Sequence, residues 1–203
     1  MKKSIMSVLA ILFLGVVAGN AHAVPLAIGG IAMPSGAAAP AGTPIASMTI
    51  PFAGIFGEID GTVTENVLQN STGMLFEYII NSTGPGSITQ ATASFYGGFT
   101  TDVDGPITPY SPDVDVITRS VDGKTVTWSY INDSIKTGDS SGILWVQTNA
   151  PWYTQGGFSL IGADTSTVKM FGPTNAVPEP CSMLLLGTGL VGLFVNKRKS
   201  FKA

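Results

Sequence analysis

Between residues 47 and 171, apolar and polar side chains alternate in short runs, and glycine, proline, asparagine or aspartate interrupts them at close intervals. Alternation of period two puts successive side chains on opposite faces of an extended strand, so such a chain folds as sheets that bury one face. The clearest case sets Ile59, Gly61, Val63, Glu65 and Val67 against Asp60, Thr62, Thr64 and Asn66. Strands are expected over 47–51, 57–68, 74–81, 87–96, 114–120, 125–131, 142–148, 157–161 and 167–171. Val121-Asp122-Gly123-Lys124 reads as a hairpin turn joining 114–120 to 125–131, because Asp-Gly adopts the positive φ that tight hairpins need. No stretch of twelve residues between 24 and 176 shows helical periodicity with caps. The fold class that follows is all-β: an antiparallel β-sandwich, with a barrel as the alternative.

The two ends differ in kind from this region. Met1-Lys2-Lys3 is a charged start, Ile5 to Val17 is apolar, and Ala21-His22-Ala23 offers small residues at both positions a signal peptidase reads. This is the pattern of a secretory signal peptide, with cleavage expected after Ala23. An uncleaved anchor is the alternative. At the other end Val177-Pro178-Glu179-Pro180 is followed by an apolar run from Cys181 to Val195 and by Lys197, Arg198 and Lys199. Two prolines hold the glutamate extended and out of any helix. The fifteen-residue run spans about 22 Å as a helix. It is short against a hydrocarbon core of about 30 Å, which snorkelling lysines and local thinning offset. Basic residues after the run resist translocation and stay cytoplasmic. A permanent membrane anchor and a buried core helix are the rival readings of this run.

This tail resembles the PEP-CTERM protein-sorting signal in its Val177-Pro178-Glu179-Pro180 motif, its Leu184-to-Leu193 core and its Lys197-Arg198-Lys199 cluster. The resemblance covers about the last eighth of the chain. It implies processing near the motif by an exosortase, a membrane-embedded transpeptidase-like enzyme, after export by the secretion machinery. It further implies a transient stop in the inner membrane of a Gram-negative bacterium that makes exopolysaccharide, then release to the cell surface or biofilm matrix. The segment from Met74 to Ala150, with Phe76-x-Tyr78-x-x-Asn81 and Thr148-Asn149-Ala150, more loosely resembles a β-rich domain common among proteins with this signal. Within the tail Gly187-x-Gly189-x-x-Gly192 spells a dinucleotide-binding fingerprint, but no strand–helix unit surrounds it and no acidic residue follows. No cofactor is expected.

The expected organisation is a signal peptide over 1–23, an Ala/Gly/Pro-rich leader over 24–47, a β-sandwich over 48–176 and the sorting signal over 177–203. The single histidine, His22, and the single cysteine, Cys181, both fall in the ends. Residues 24–176 therefore hold no Ser-His-Asp or Cys-His catalytic set, no histidine or cysteine zinc site and no disulfide. Arg119, Lys124, Lys136 and Lys169 face twelve acidic residues there, a net charge of −8. So acidic a domain does not bind phosphate backbones, and nucleic acid is not an expected partner.

Three further constellations carry chemistry at a weaker level. Asp102-Val103-Asp104-Gly105 and Asp113-Val114-Asp115 supply oxygen ligands of the kind Ca²⁺ takes, but without EF-hand spacing, and aspartate beside glycine is ordinary turn chemistry. Trp152 and Tyr153, in a stretch that reads as loop, offer a sugar-stacking surface, while most other aromatics are expected in the core. Asn70, Asn81 and Asn132 begin N-x-[ST] triplets and read first as turn residues. The functional expectation is a non-catalytic, structural or adhesive exported protein. A carbohydrate-binding module is the alternative, and a glycosidase using paired carboxylates is the least favoured.

Overall fold

The computed structural model describes residues 24–107 and 112–176. The expected signal peptide with Ala21 and Ala23, and the segment from Val177 through Cys181 and Val195 to the Lys197-Arg198-Lys199 cluster, lie outside the described residues. Twelve strands follow in chain order: β1 Val24–Pro25, β2 Ile31–Ala32, β3 Thr43–Ala53, β4 Asp60–Gln69, β5 Met74–Ser82, β6 Ile88–Ser94, β7 Thr101–Asp104, β8 Val116–Arg119, β9 Thr125–Ser129, β10 Leu144–Thr148, β11 Trp152–Gly162 and β12 Thr165–Thr174. No helix occurs among the described residues.

The strands form two six-stranded sheets, ordered β1-β7-β10-β5-β4-β3 and β12-β11-β6-β9-β8-β2, with antiparallel pairing throughout. One apolar core lies between them. Tyr78 of the first sheet stacks on Phe158 of the second with ring centroids 4.7 Å apart, and meets Trp128 edge-on at 5.9 Å. Full burial of side chains such as Val63, Phe76 and Ile80 stabilises by roughly 1.5–3 kcal/mol each. The alternation that predicts β4 is realised, since Ile59, Gly61, Val63, Glu65 and Val67 are all buried.

The Asp122-Gly123 turn joins β8 to β9 as expected: Gly123 takes φ +71°, and its N–H donates to the Ser120 carbonyl at 2.9 Å. Apart from β1 and β2, three strands differ most from the sequence expectation. β3 runs past Pro44 and Pro51 because it lies at a sheet edge, where a residue without an N–H costs no ladder bond. β11 begins at Trp152 instead of 157. The glycine pair that reads as a break instead permits close approach to β12: a Cβ on Gly156 would stand 2.7 Å from the Phe171 carbonyl oxygen. β7 was not expected, since four residues are too few to display a period.

Residues 24–47 bury more than a flexible leader would. Leu26 and Ala32 are buried, β1 pairs with β7 of one sheet, and β2 pairs with β8 of the other. The segment is thus an extended strap across one side of the sandwich. Its glycines and prolines conceal this, because the strap is held by partners far away in sequence.

Candidate functional site

Four charged side chains of the domain, Glu65, Asp104, Arg119 and Asp164, are buried. Glu65, on the core face of β4, is fully buried, and its Oε2 accepts the Phe171 N–H of β12 at 2.6 Å. Its Oε1 has no hydrogen-bond partner. Burial pushes this carboxyl up to about 8, against the downward pull of the Phe171 N–H and the Tyr78 hydroxyl. At neutral pH Glu65 is therefore mostly protonated. Tyr78 sits opposite it in the β4–β5 register and shares a 2.8 Å hydrogen bond with Tyr96. Burial raises both phenols well above their ordinary range. A neutral acid beside two neutral phenols can relay a proton, but Glu65 is closed to solvent, so no outside molecule reaches it in this conformation.

Arg119, at the end of β8, is buried and spends all five guanidinium donors on neutral acceptors. Nε donates to the Gly123 carbonyl at 3.1 Å, one terminal nitrogen to the Leu26 carbonyl at 3.1 Å and the Thr101 hydroxyl at 3.0 Å, and the other to the carbonyls of Tyr96 at 3.0 Å and Phe99 at 2.7 Å. Desolvation lowers its pKa. With its fork filled, Arg119 has no donor left for an anionic ligand. It ties the strap, the β6–β7 loop and the β8–β9 turn together.

Asp104, closing β7, is also fully buried. Its carboxylate accepts the N–H groups of Ser35 at 2.8 Å, Ala37 at 3.0 Å, Gly36 at 3.3 Å and Gly105 at 2.7 Å, together with the Ser35 hydroxyl. Of the aspartates considered for Ca²⁺, Asp104 is thus occupied by the strap, and Asp115 accepts the backbone N–H groups of Ile131 at 2.6 Å and Asn132 at 3.0 Å. Among the described residues no group of three or more histidine, cysteine, aspartate or glutamate side chains is placed to hold a metal ion.

Asp164, in the β11–β12 turn, accepts the Phe56 N–H at 2.6 Å and the Thr165 N–H at 2.7 Å. Desolvation is the largest single influence on its carboxyl and acts upward, but the N–H groups of Phe56, Thr165, Glu58 and Ile55 together outweigh it and hold the pKa down. The anchored β3–β4 loop presents Ile55 and Phe56 at 78% and 83% exposure.

Trp152 and Tyr153 are consecutive residues of β11 and not of a loop, so they project to opposite faces and do not form one flat platform. Tyr153 packs edge-on against Phe171 with centroids 5.0 Å apart, whereas Trp152 is 40% exposed. Asn70 forms the expected turn, its side-chain oxygen accepting the N–H groups of Thr72 at 2.9 Å and Gly73 at 3.2 Å. Asn132 lies in a bend bound to Asp115, and Asn81 lies within β5.

Glu65 was visible in the sequence as the one charged residue in an apolar register. Asp104 stood out only as an oxygen ligand of the kind Ca²⁺ takes, and Arg119 and Asp164 carried no local mark, since partners of these groups lie up to 108 residues away.

The C-terminal motif lies outside this geometry, and there the comparison with known families is informative. The model of the PEP-CTERM protein-sorting motif matches residues 176–199. No curated protein and no solved structure matches the chain. The matched motif marks a sorted, exported bacterial protein destined for the cell surface or extracellular space, and implies processing by exosortase, a membrane protein. Among the described residues no helix is long and apolar enough to cross a membrane.

Proposed function

We propose that the chain delivers a non-catalytic β-domain to the bacterial surface or biofilm matrix, where it acts structurally or by adhesion. The observation that carries this reading is the sorting motif at 176–199, placed directly after a domain whose four buried ionisable centres are engaged in holding strands and loops. In this reading Pro178 and Pro180 present Glu179 for processing, the Cys181-to-Val195 run holds that site at the inner membrane, and Lys197, Arg198 and Lys199 fix its orientation. The host is Gram-negative and the anchoring is transient. Replacing Pro178, Glu179 and Pro180 together by alanine in the native host tests it. The variant should remain in the inner-membrane fraction with its tail attached, and undiminished release to the surface would overturn the reading.

A second reading, carbohydrate contact with exopolysaccharide, is favoured by Trp152, the one tryptophan exposed among three. Glycan-array binding that disappears in Trp152→Ala would support it, and an empty array would remove it.

A further inference from the structure

The sandwich has two distinct ends, and the chain leaves from one of them. Thr174 is paired with Trp152, and the described chain ends two residues later at Ala176. Only residues 177–180 separate Ala176 from the apolar run, a span of at most about 14 Å when fully extended. Phe56 is hydrogen-bonded to Asp164, beyond the other end of β11. Eleven residues of strand put that tip about 35 Å from Trp152. A tether this short keeps the Trp152 end beside the membrane, and a domain standing upright on it holds the Phe56 tip away.

We propose that, while the C-terminal segment holds the chain in the membrane, the domain stands on its Trp152 end with the Trp152 indole in the lipid headgroup interface. This rests on the reading that the Cys181-to-Val195 run is membrane-held. Three observations favour it. Trp152 is exposed beside the exit point, and an indole, apolar in body and polar at its N–H, suits the interfacial layer. Phe95 and Val121, 56% and 88% exposed, lie at the same end, after β6 and in the β8–β9 turn. The acidic residues are also unevenly placed. Glu58, Asp60, Asp115, Asp133, Asp139 and Asp164 all lie in or beside the loops of the far end. At the near end Asp122 is paired with Lys124 at 3.5 Å, which leaves Asp102 as the other acid there. Anionic headgroups repel the far end and tolerate the near one.

The chain supplies its own probe. Trp128 and Trp145 are 0% and 1% exposed, so a quencher carried by lipid meets Trp152 alone. The chain with its signal peptide removed and its C-terminal segment intact is reconstituted into phosphatidylethanolamine–phosphatidylglycerol vesicles containing lipids brominated near the headgroup. Vesicle association is read by flotation. Bromolipid should quench a blue-shifted component of the emission that is missing in Trp152→Phe. A reporter at the far end, Phe56→Trp in the Trp152→Phe background, should remain unquenched. Flotation without Trp152 quenching, or quenching of the far reporter in its place, overturns this orientation and leaves the anchoring reading standing. Failure to float removes both.

Discussion

Glu65→Gln should remove a pH dependence of stability that the buried carboxyl imposes. The carboxyl titrates near 8 in the folded domain and near its ordinary 4.5 once unfolded. The folded state therefore holds a proton that the unfolded state releases, and stability falls as pH rises from about 4.5 through about 8. The full span corresponds to about 5 kcal/mol at 1.36 kcal/mol per pH unit, of which roughly 3 kcal/mol is already lost at pH 7. Glutamine keeps an oxygen for the Phe171 N–H and has nothing to ionise. Urea unfolding of the described domain at pH 5, 6, 7 and 8 should show a steeper decline for the wild type than for Glu65→Gln. Between pH 5 and pH 7 the wild type should lose about 2.5 kcal/mol more than the variant, or roughly 1 M in urea midpoint for a typical m-value. Glu77 and Asp102, whose carboxyls are also raised by desolvation, contribute to both proteins alike, so the difference between the curves isolates Glu65. Parallel curves would show that Glu65 is ionised or solvated in the folded domain and would refute the reasoning.

Arg119→Met should cost about 3–5 kcal/mol in chemical denaturation, because four backbone carbonyls and the Thr101 hydroxyl lose a buried donor at once. Arg119→Lys should recover only part of that loss, since an ammonium cannot reproduce the planar five-donor fork. Asp104→Asn should free the strap without unfolding the sheets, raising amide hydrogen exchange at Ser35, Gly36 and Ala37 by tenfold or more while β5 and β10 keep their protection. Asp164→Ala should make the β3–β4 loop cleavable by chymotrypsin at Phe56 while the wild-type loop resists, and equal cleavage would show that Asp164 does not hold it.

What the sequence disclosed was whatever local pattern encodes. Ile59 to Val67 alternate in chemistry and in burial, and Asp122-Gly123 makes the turn its φ preference requires. The strap was hidden because its restraints come from elsewhere: Asp104 lies 67 to 69 residues from the amides it holds, and Arg119 lies 93 residues from Leu26. A stretch of alanine, glycine and proline looks unstructured by itself but becomes ordered when a buried carboxylate collects its N–H groups. Trp152 and Tyr153 were misplaced for a related reason, since a glycine pair marks a strand end by propensity and marks close strand contact by packing. The sorting motif, by contrast, was legible because its pattern is linear, and the family model matches it at residues 176–199.

The most direct test is the intact mass of the protein recovered from the surface of its native host. The account predicts one species that begins at Val24 and ends close to Pro180, lacking the Cys181-to-Val195 run and the basic cluster. A surface species whose mass still includes residues 181–203 would contradict it.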